Sequence, residues 1–525
     1  MKTPKAKKKP HKLVYHNDTR IDNYFWLREK DNKEVIEYLK EENKYTKHIM
    51  NPTKSLQKEI YDEIVVRIKE DDSSVPEKIG NYFYYTRMEK GKEYSIFCRK
   101  KESLENEEQV LLDENEWAKN HSFFEVTSIK ISPNNKLMAF SVDTNGSEIC
   151  TIHFMDMESK ILIEDKITNA FSSFEWAPDN TTIFYAILNE NQRPYKVFKH
   201  ILGNNQKNDK LVFHEESEMY FVGLNKTRSK EFFIIDLHSH STTEVHYLKT
   251  SDVDGNFKVI YPRKAGIEYS VDHHENNFYI LTNENAKNFK LVKTSIDKTA
   301  KENQQEVIPH RKGIKLDGID IFKNHFIVYE RTECQEKVRI INFLNQKDHY
   351  IQFPDSIYTI RSYSNNEFNK NLLRFEYSSL AKPPRVYDYD MDSKTFDLKK
   401  QEEVLNNYNE NEYETKRIFA TARDNTLIPI SLIHKKGIKQ DGNNPLYLYG
   451  YGAYGYSTDP SFSYSRISLL NRGFIFAIAH IRGGEEMGRE WYEQGKLFSK
   501  KNTFYDFIDC AKHLIIEKYT NSDKV

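Results

Sequence analysis

Residues 445–460 read Pro445-Leu-Tyr-Leu-Tyr-Gly-Tyr-Gly-Ala-Tyr-Gly-Tyr-Ser-Thr-Asp-Pro460, and after a short helical run comes Gly473-Phe-Ile-Phe-Ala-Ile-Ala-His-Ile-Arg-Gly-Gly484. Two apolar, β-prone runs, Leu446–Tyr449 and Phe474–His480, are thus separated by a glycine-rich loop and about one helix. This order predicts a β-loop-α-β unit with buried, parallel strands.

Gly450, Gly452 and Gly455 spell G-x-G-x-x-G directly after a strand, the form of a dinucleotide-binding turn. That motif also needs an acid about 20 residues on, to hold a ribose hydroxyl. Here the second strand ends in Ala479-His-Ile-Arg482, without an acid, and Tyr451 and Tyr454 would crowd a pyrophosphate. The nucleotide reading is set aside. The glycines instead permit a sharp turn at the carboxyl end of a strand, where α/β sheets place ligands and α/β-hydrolases build part of their oxyanion hole. Tyr451, between Gly450 and Gly452, either aims its hydroxyl into such a site or is one packing tyrosine among 34.

Four strings decide the family. Tyr449-Gly-Tyr-Gly452, the run Leu469–Gly484, Gly488-Arg-Glu-Trp-Tyr492 and Lys501-Asn-Thr-Phe-Tyr-Asp-Phe-Ile508 resemble the prolyl oligopeptidase family, most of all its oligopeptidase B branch. The resemblance implies a serine peptidase acting on short peptides without a cofactor.

Composition bounds the alternatives. The 525 residues suffice for two or three domains. Their 78 basic and 79 acidic side chains nearly cancel, so no global field points to nucleic acid or a membrane surface. Cys98, Cys150, Cys334 and Cys510 lie far apart without metal spacing, the pattern of buried or incidental thiols in a reducing, cytoplasmic compartment. The lysines between Lys2 and Lys12 precede no apolar segment and read as a solvated tail, not a secretory signal. No apolar run reaches the ~18 residues of a membrane span.

Residues 32–69 read as helices, the second carrying a stripe of Leu56, Ile60, Ile64 and Ile68 beside Val65 that must pack on something else. Asp22-Asn-Tyr-Phe-Trp-Leu-Arg28 and Glu41-Glu-Asn-Lys-Tyr45 are similar to the family's amino-terminal arm, which implies that residues 1–75 form a tail and helical arm packed on the catalytic domain. From residue 76 a short apolar strand recurs near Tyr82, Leu137, Ile183, Phe232, Phe278, Phe326 and Leu372, at intervals of 55, 46, 49, 46, 48 and 46. Ser132-Pro-Asn-Asn135 and Ala177-Pro-Asp-Asn180 even match as turns. Seven recurrences, each with room for about four strands, predict a seven-bladed β-propeller over 76–405. A β-sandwich would not hold one period for so long. His238, His240, His273 and His274 carry no convincing chemistry without further ligands, and no metal site is assigned.

Past a polar linker near Asn406, Lys416–Ala422 and Leu427–His434 predict a hairpin opening a domain over 410–525. A last helix is expected over Thr503–Tyr519, capped by Asn502 or Thr503 with Asp506 in its first turn. An α/β-hydrolase carries its serine on a G-x-S-x-G elbow after the next strand. No such motif occurs in these 525 residues; Gly455-Tyr-Ser-Thr-Asp459 lies before a helix and ends in Asp. By resemblance, Tyr519–Val525 leads into the strand before the elbow, so the expectation is a chain truncated ahead of its serine, aspartate and histidine.

Two roles carry over by resemblance. Tyr451 matches the tyrosine that stabilises the oxyanion, and Asp459 one of two acids that contact a basic residue beside the scissile bond. The companion acid is replaced by Ser461. The expected architecture is therefore a helical arm, a seven-bladed β-propeller and a partial α/β-hydrolase domain. Its complete form cleaves short basic peptides after Lys or Arg; alone it is inert, and a separate chain is the candidate supplier of the triad. The rival expectation is a non-catalytic propeller that binds peptides or proteins.

Overall fold

The computed structural model describes residues 1–525, which form two compact units, Met1–Ile68 and Lys69–Val525. In the first, a hairpin of His11–Tyr15 and Asp18–Asp22 precedes helices Lys33–Met50 and Lys54–Val65. Asn32 caps the first helix, its side chain accepting from the Glu34 N–H at 2.9 Å. The basic tail is largely exposed, as its lysines suggest, but two of them are held. Lys7 pairs with Glu34 at 3.0 Å, its carbonyl accepts from Trp26 Nε1, and the Lys9 ammonium lies 4.5 Å from the Trp26 ring centre. Buried Trp26 and the Glu34 carboxylate give Lys7 and Lys9 fixed partners. No residue of the second helix is buried, so Leu56 and Ile68 of its apolar stripe remain exposed.

The second unit begins with seven four-stranded antiparallel sheets in chain order, from Glu77–Ile79 to Thr395–Gln401. All seven sequence markers fall in the second strand of a sheet, for example Leu137–Asp143, Phe232–His238 and Leu372–Ser378. That strand is hydrogen-bonded on both sides and buries both faces, so it carries the densest apolar run. Successive sheets pack face to face: Phe184 of the third and Phe233 of the fourth stand 4.6 Å apart. The matched turns touch each other, the Asn134 N–H donating to Asn180 Oδ1 at 2.8 Å. Asn135 and Asn180 both take positive φ, the left-handed conformation that asparagine tolerates. The ring closes by side chains of the last sheet: Arg374 donates to the Pro76 carbonyl, Ser364 to Glu77, and Lys400 pairs with Asp72.

The chain then builds one further sheet, in the order Tyr413–Thr421, Leu427–Lys435, Ile475–Ala479, Leu446–Tyr449. The expected hairpin is there, and Leu446–Tyr449 and Ile475–Ala479 run parallel across helix Tyr464–Asn471. One face of the sheet (Ile430, Leu432, Ala477, Ala479) packs on Cys510 and Leu514 of helix Lys501–Ile516. The other (Ile433, Phe476, Ile478) packs on Leu470.

Two expectations need correction. Leu446–Tyr449 is not wholly buried: it has one neighbour only, and Tyr447 and Tyr449 are exposed. The last helix starts at Lys501 without a side-chain cap. Thr503 and Asp506 are buried inside it and bond to the segment around Arg482 instead, because that segment has its own unmet donors and acceptors.

Candidate functional site

The glycine loop leaves the carboxyl end of Leu446–Tyr449 and lies against Ile481–Glu486, which leaves the carboxyl end of the adjacent strand. Their glycines are required by this contact. A Cβ on Gly483, whose φ is +108°, would stand 2.0 Å from the Gly452 carbonyl oxygen, and one on Gly452 would stand 2.6 Å from Ile481 and Thr503 side-chain atoms. The Gly455 N–H donates to the Gly483 carbonyl at 2.9 Å. The G-x-G-x-x-G pattern therefore serves loop-on-loop packing, with side chains where a pyrophosphate would need open space.

Behind the loops Arg482 is nearly sealed from solvent. It donates through Nε and Nη2 to the two Asp506 oxygens at 2.8 and 2.6 Å, and through Nη1 to Asp424 at 2.6 Å. Burial would raise the Asp424 carboxyl, but Arg482 and the Thr426 N–H outweigh it and hold it down at about 2. Thr503 Oγ1 donates to the Arg482 carbonyl at 2.7 Å, and Lys500 donates to the Gly452 carbonyl. These contacts fix the loop backbone and leave Tyr451 half-exposed at its tip, edge-on to Tyr456 at 5.6 Å.

Asp459 lies elsewhere, at the border with the propeller, and its carboxylate is engaged. Arg331, at the end of strand His325–Thr332, donates from Nη1 to Asp459 Oδ1 at 2.8 Å, from Nε to Asp317 at 3.0 Å and from Nη2 to Glu336 at 3.3 Å. Lys315 bridges Asp317 and Glu485, each at 2.7 Å, and Arg489 ties Glu485 to Glu268 of the propeller. Burial and the neighbouring Asp459 charge push the Glu336 carboxyl up to about 7, against the pull of Arg331. Beside this network lies a cavity of about 400 Å³, lined by Arg331, Glu336, Asp317, Ile360, Gly455 and Ser457 among others.

The histidines singled out in the sequence make other bonds. His240 Nε2 meets the Tyr492 hydroxyl at 2.7 Å, His273 Nδ1 the Ser229 hydroxyl at 2.9 Å, and His274 Nε2 donates to the Lys323 carbonyl at 2.8 Å. All four cysteines are buried free thiols. Tyr451 and Asp459 belong to the same loop, but the partners of Asp459 come from the propeller, where the sequence offered no chemistry. The available signal was a set of charges (Lys315, Asp317, Arg331) placed inside or at the ends of otherwise apolar strands.

A family profile described as the N-terminal β-propeller domain of prolyl oligopeptidase matches residues 4–402, and one for the prolyl oligopeptidase family matches residues 460–525. Dipeptidyl aminopeptidase BI of Pseudoxanthomonas mexicana is 36% identical over 99% of this chain and 75% of its own length. Protease 2 of Moraxella lacunata is 32% identical over 100% and 76%. The structure of oligopeptidase B from Leishmania major superposes with a TM-score of 0.93 at 32% identity, over 100% of this chain and 78% of that one.

Proposed function

This chain belongs to the prolyl oligopeptidase family, and from that premise we propose that it contributes the propeller and the oxyanion side of a serine endopeptidase that cleaves short peptides after Lys or Arg. Tyr451 is the oxyanion donor and Asp459 a contact for a basic side chain. The observation that carries the reading is the Asp459 carboxylate holding a guanidinium at 2.8 Å, in a loop that also presents Tyr451 at the carboxyl end of a parallel strand. The acid has the charge, the reach and the partner geometry that an arginine side chain requires.

The nucleophilic serine, its aspartate and its histidine are assigned to polypeptide outside these 525 residues, which hold no G-x-S-x-G. Loss of a serine peptidase's nucleophile or histidine lowers turnover on the order of 10⁶-fold, as much as loss of the whole triad. The 525 residues by themselves are therefore inert toward peptides. The four free thiols fit a reducing cytoplasm, and no helix is long and apolar enough to cross a membrane.

The test is an arginyl fluorogenic dipeptide assayed with residues 1–525 alone and with the polypeptide that carries the triad. Activity only in the second case supports the reading. Hydrolysis by purified 1–525 that a serine-directed inhibitor titrates would overturn it. A second reading comes from the relative named dipeptidyl aminopeptidase BI: release of dipeptides from a free amino terminus. Acetylating the amino terminus of a longer arginyl peptide separates the two, since only the endopeptidase still cleaves it.

A further inference from the structure

The ion network beside Asp459 holds more negative than positive charge. Asp317, Glu336, Asp459, Glu485 and Glu268 share only Lys315, Arg331 and Arg489 as direct ion-pair partners. Excess carboxylate in a partly buried site is costly unless a cation or a proton joins it. The cavity of about 400 Å³ is lined by Glu336 and Arg331, by Gly455 and Ser457 of the hydrolase loop, and by Lys315 and Lys337. It has room for a long side chain. Burial first, and the Asp459 charge second, raise the Glu336 carboxyl.

Arg331 itself shows what this cradle recognises. Its guanidinium is nearly enclosed and spreads three donors over three carboxylates, one of which, Asp459, belongs to the hydrolase loop while the other two belong to the propeller. Ser461, where a second loop acid is expected, offers no charge, and Glu336 of the propeller stands in the cradle as the second carboxylate beside Asp459. The partners of Arg331 are thus the groups that an incoming arginine needs.

We propose that Arg331 is a built-in stand-in for a substrate's basic side chain: it occupies the Asp459–Glu336 cradle in the unliganded protein, and a peptide guanidinium or ammonium entering the adjoining cavity takes over these carboxylates. Glu336 is then a specificity residue supplied by the propeller. Binding of a basic residue releases the Arg331–Asp459 tie between propeller and hydrolase loop. No covalent step is involved. The inference rests on the reading of Asp459 given above.

The experiment is calorimetric titration of the purified protein with the dipeptide amide Arg-Arg-NH2, using Ala-Ala-NH2 as the uncharged control. Arg331→Gln alone leaves buried carboxylates unbalanced and risks misfolding, so Arg331→Gln is paired with Asp317→Asn, which keeps the net charge and leaves Glu336 and Asp459 in place. Circular dichroism and thermal melting confirm that the double variant folds. The expected result is at least a tenfold gain in affinity for Arg-Arg-NH2 and none for Ala-Ala-NH2. Adding Glu336→Gln removes most of that gain. Unchanged or weaker binding by the folded double variant overturns the inference, as does a gain indifferent to Glu336→Gln. A gain that depends on Glu336 yet survives Asp459→Asn strikes instead at the reading of Asp459, so the two failures are told apart.

Discussion

Arg482 and Asp506 bind each other through three hydrogen bonds: the Arg482 backbone N–H and Nε both donate to Asp506 Oδ2, at 3.0 and 2.8 Å, and Nη2 donates to Oδ1 at 2.6 Å. The two side chains are 4% and 0% exposed. The pair joins the loop after strand Ile475–Ala479 to helix Lys501–Ile516, and the glycine loop with Tyr451 lies on the loop so anchored.

Removing one partner of a buried pair costs about 3–5 kcal/mol, and without Asp506 the buried Arg482 keeps only the partly exposed Asp424 as a carboxylate partner. Asp506→Ala is expected to lower the unfolding free energy by that order, read from urea denaturation followed by fluorescence. A loss below about 1 kcal/mol, the worth of a solvent-exposed pair, would show that Arg482 finds another partner. Asp424, the third group, is partly exposed and its carboxyl is held low at about 2. Its contribution is therefore fully present above the ordinary aspartate value of 3.8 and is lost as pH falls toward 2. Asp424→Asn should flatten that acid limb and leave the neutral-pH slope alone.

A second pH response comes from inside the propeller. His200 is buried between Asp209, 2.8 Å from Nδ1, and Asp165, 3.0 Å from Nε2. Burial works against a charged ring, but the two carboxylates outweigh it and raise the imidazole above its ordinary 6.5. Folding stability from this group is then complete below 6.5 and fades as pH rises through the raised value. His200→Gln is expected to be destabilising and to remove a decline in the denaturation midpoint as pH rises above 6.5. An unaltered slope in the variant would mean that His200 is neutral in the folded protein.

These two clusters mark what the sequence made legible. The repeat was visible because the second strand of each sheet is apolar on both faces, as in Phe232-Phe-Ile-Ile235. The outer strands were not: Thr395–Gln401 reads Thr-Phe-Asp-Leu-Lys-Lys-Gln and is almost wholly exposed, so only its pairing with Arg385–Asp390 defines it. Tyr451 stood out through the glycines that flank it. Arg331 did not, because its meaning comes from Asp459, 128 residues away, and no local pattern encodes the packing of the hydrolase loop on the propeller that brings them together. The helix start was misplaced for a related reason. Asn502 and Thr503 have capping side chains, yet Thr503 gives its hydroxyl to the Arg482 carbonyl, a tertiary partner that local propensity does not include.

The contact between the two loops at the candidate site allows a sharp test of backbone fit. Gly483 has a positive φ that side chains avoid, and any Cβ there overlaps the Gly452 carbonyl. Gly483→Ala must therefore shift the Tyr451 loop or strain it, at a cost of about 1–3 kcal/mol for the backbone conformation and more for the clash. Thermal unfolding should show a clear drop. By contrast Gly473→Ala, also at positive φ but with open space around it, should pay only the conformational part. Equal losses at the two positions would mean that the loops are not packed as described.

Tyr451 provides the prediction closest to the chemistry. Its ring is half-exposed and its only close aromatic neighbour is Tyr456, so removing the hydroxyl should leave stability nearly unchanged. If the hydroxyl donates to the developing oxyanion, its bond strengthens in the transition state and not in the bound substrate. Tyr451→Phe, measured on an arginyl substrate in the presence of the polypeptide bearing the triad, is then expected to lower kcat by about 10²–10³ with little change in KM. Tyr456→Phe, next to it but outside that role, should retain near-full turnover. Should Tyr451→Phe instead raise KM at constant kcat, the tyrosine binds substrate and the oxyanion donor has to be sought among the backbone N–H groups of the glycine loop.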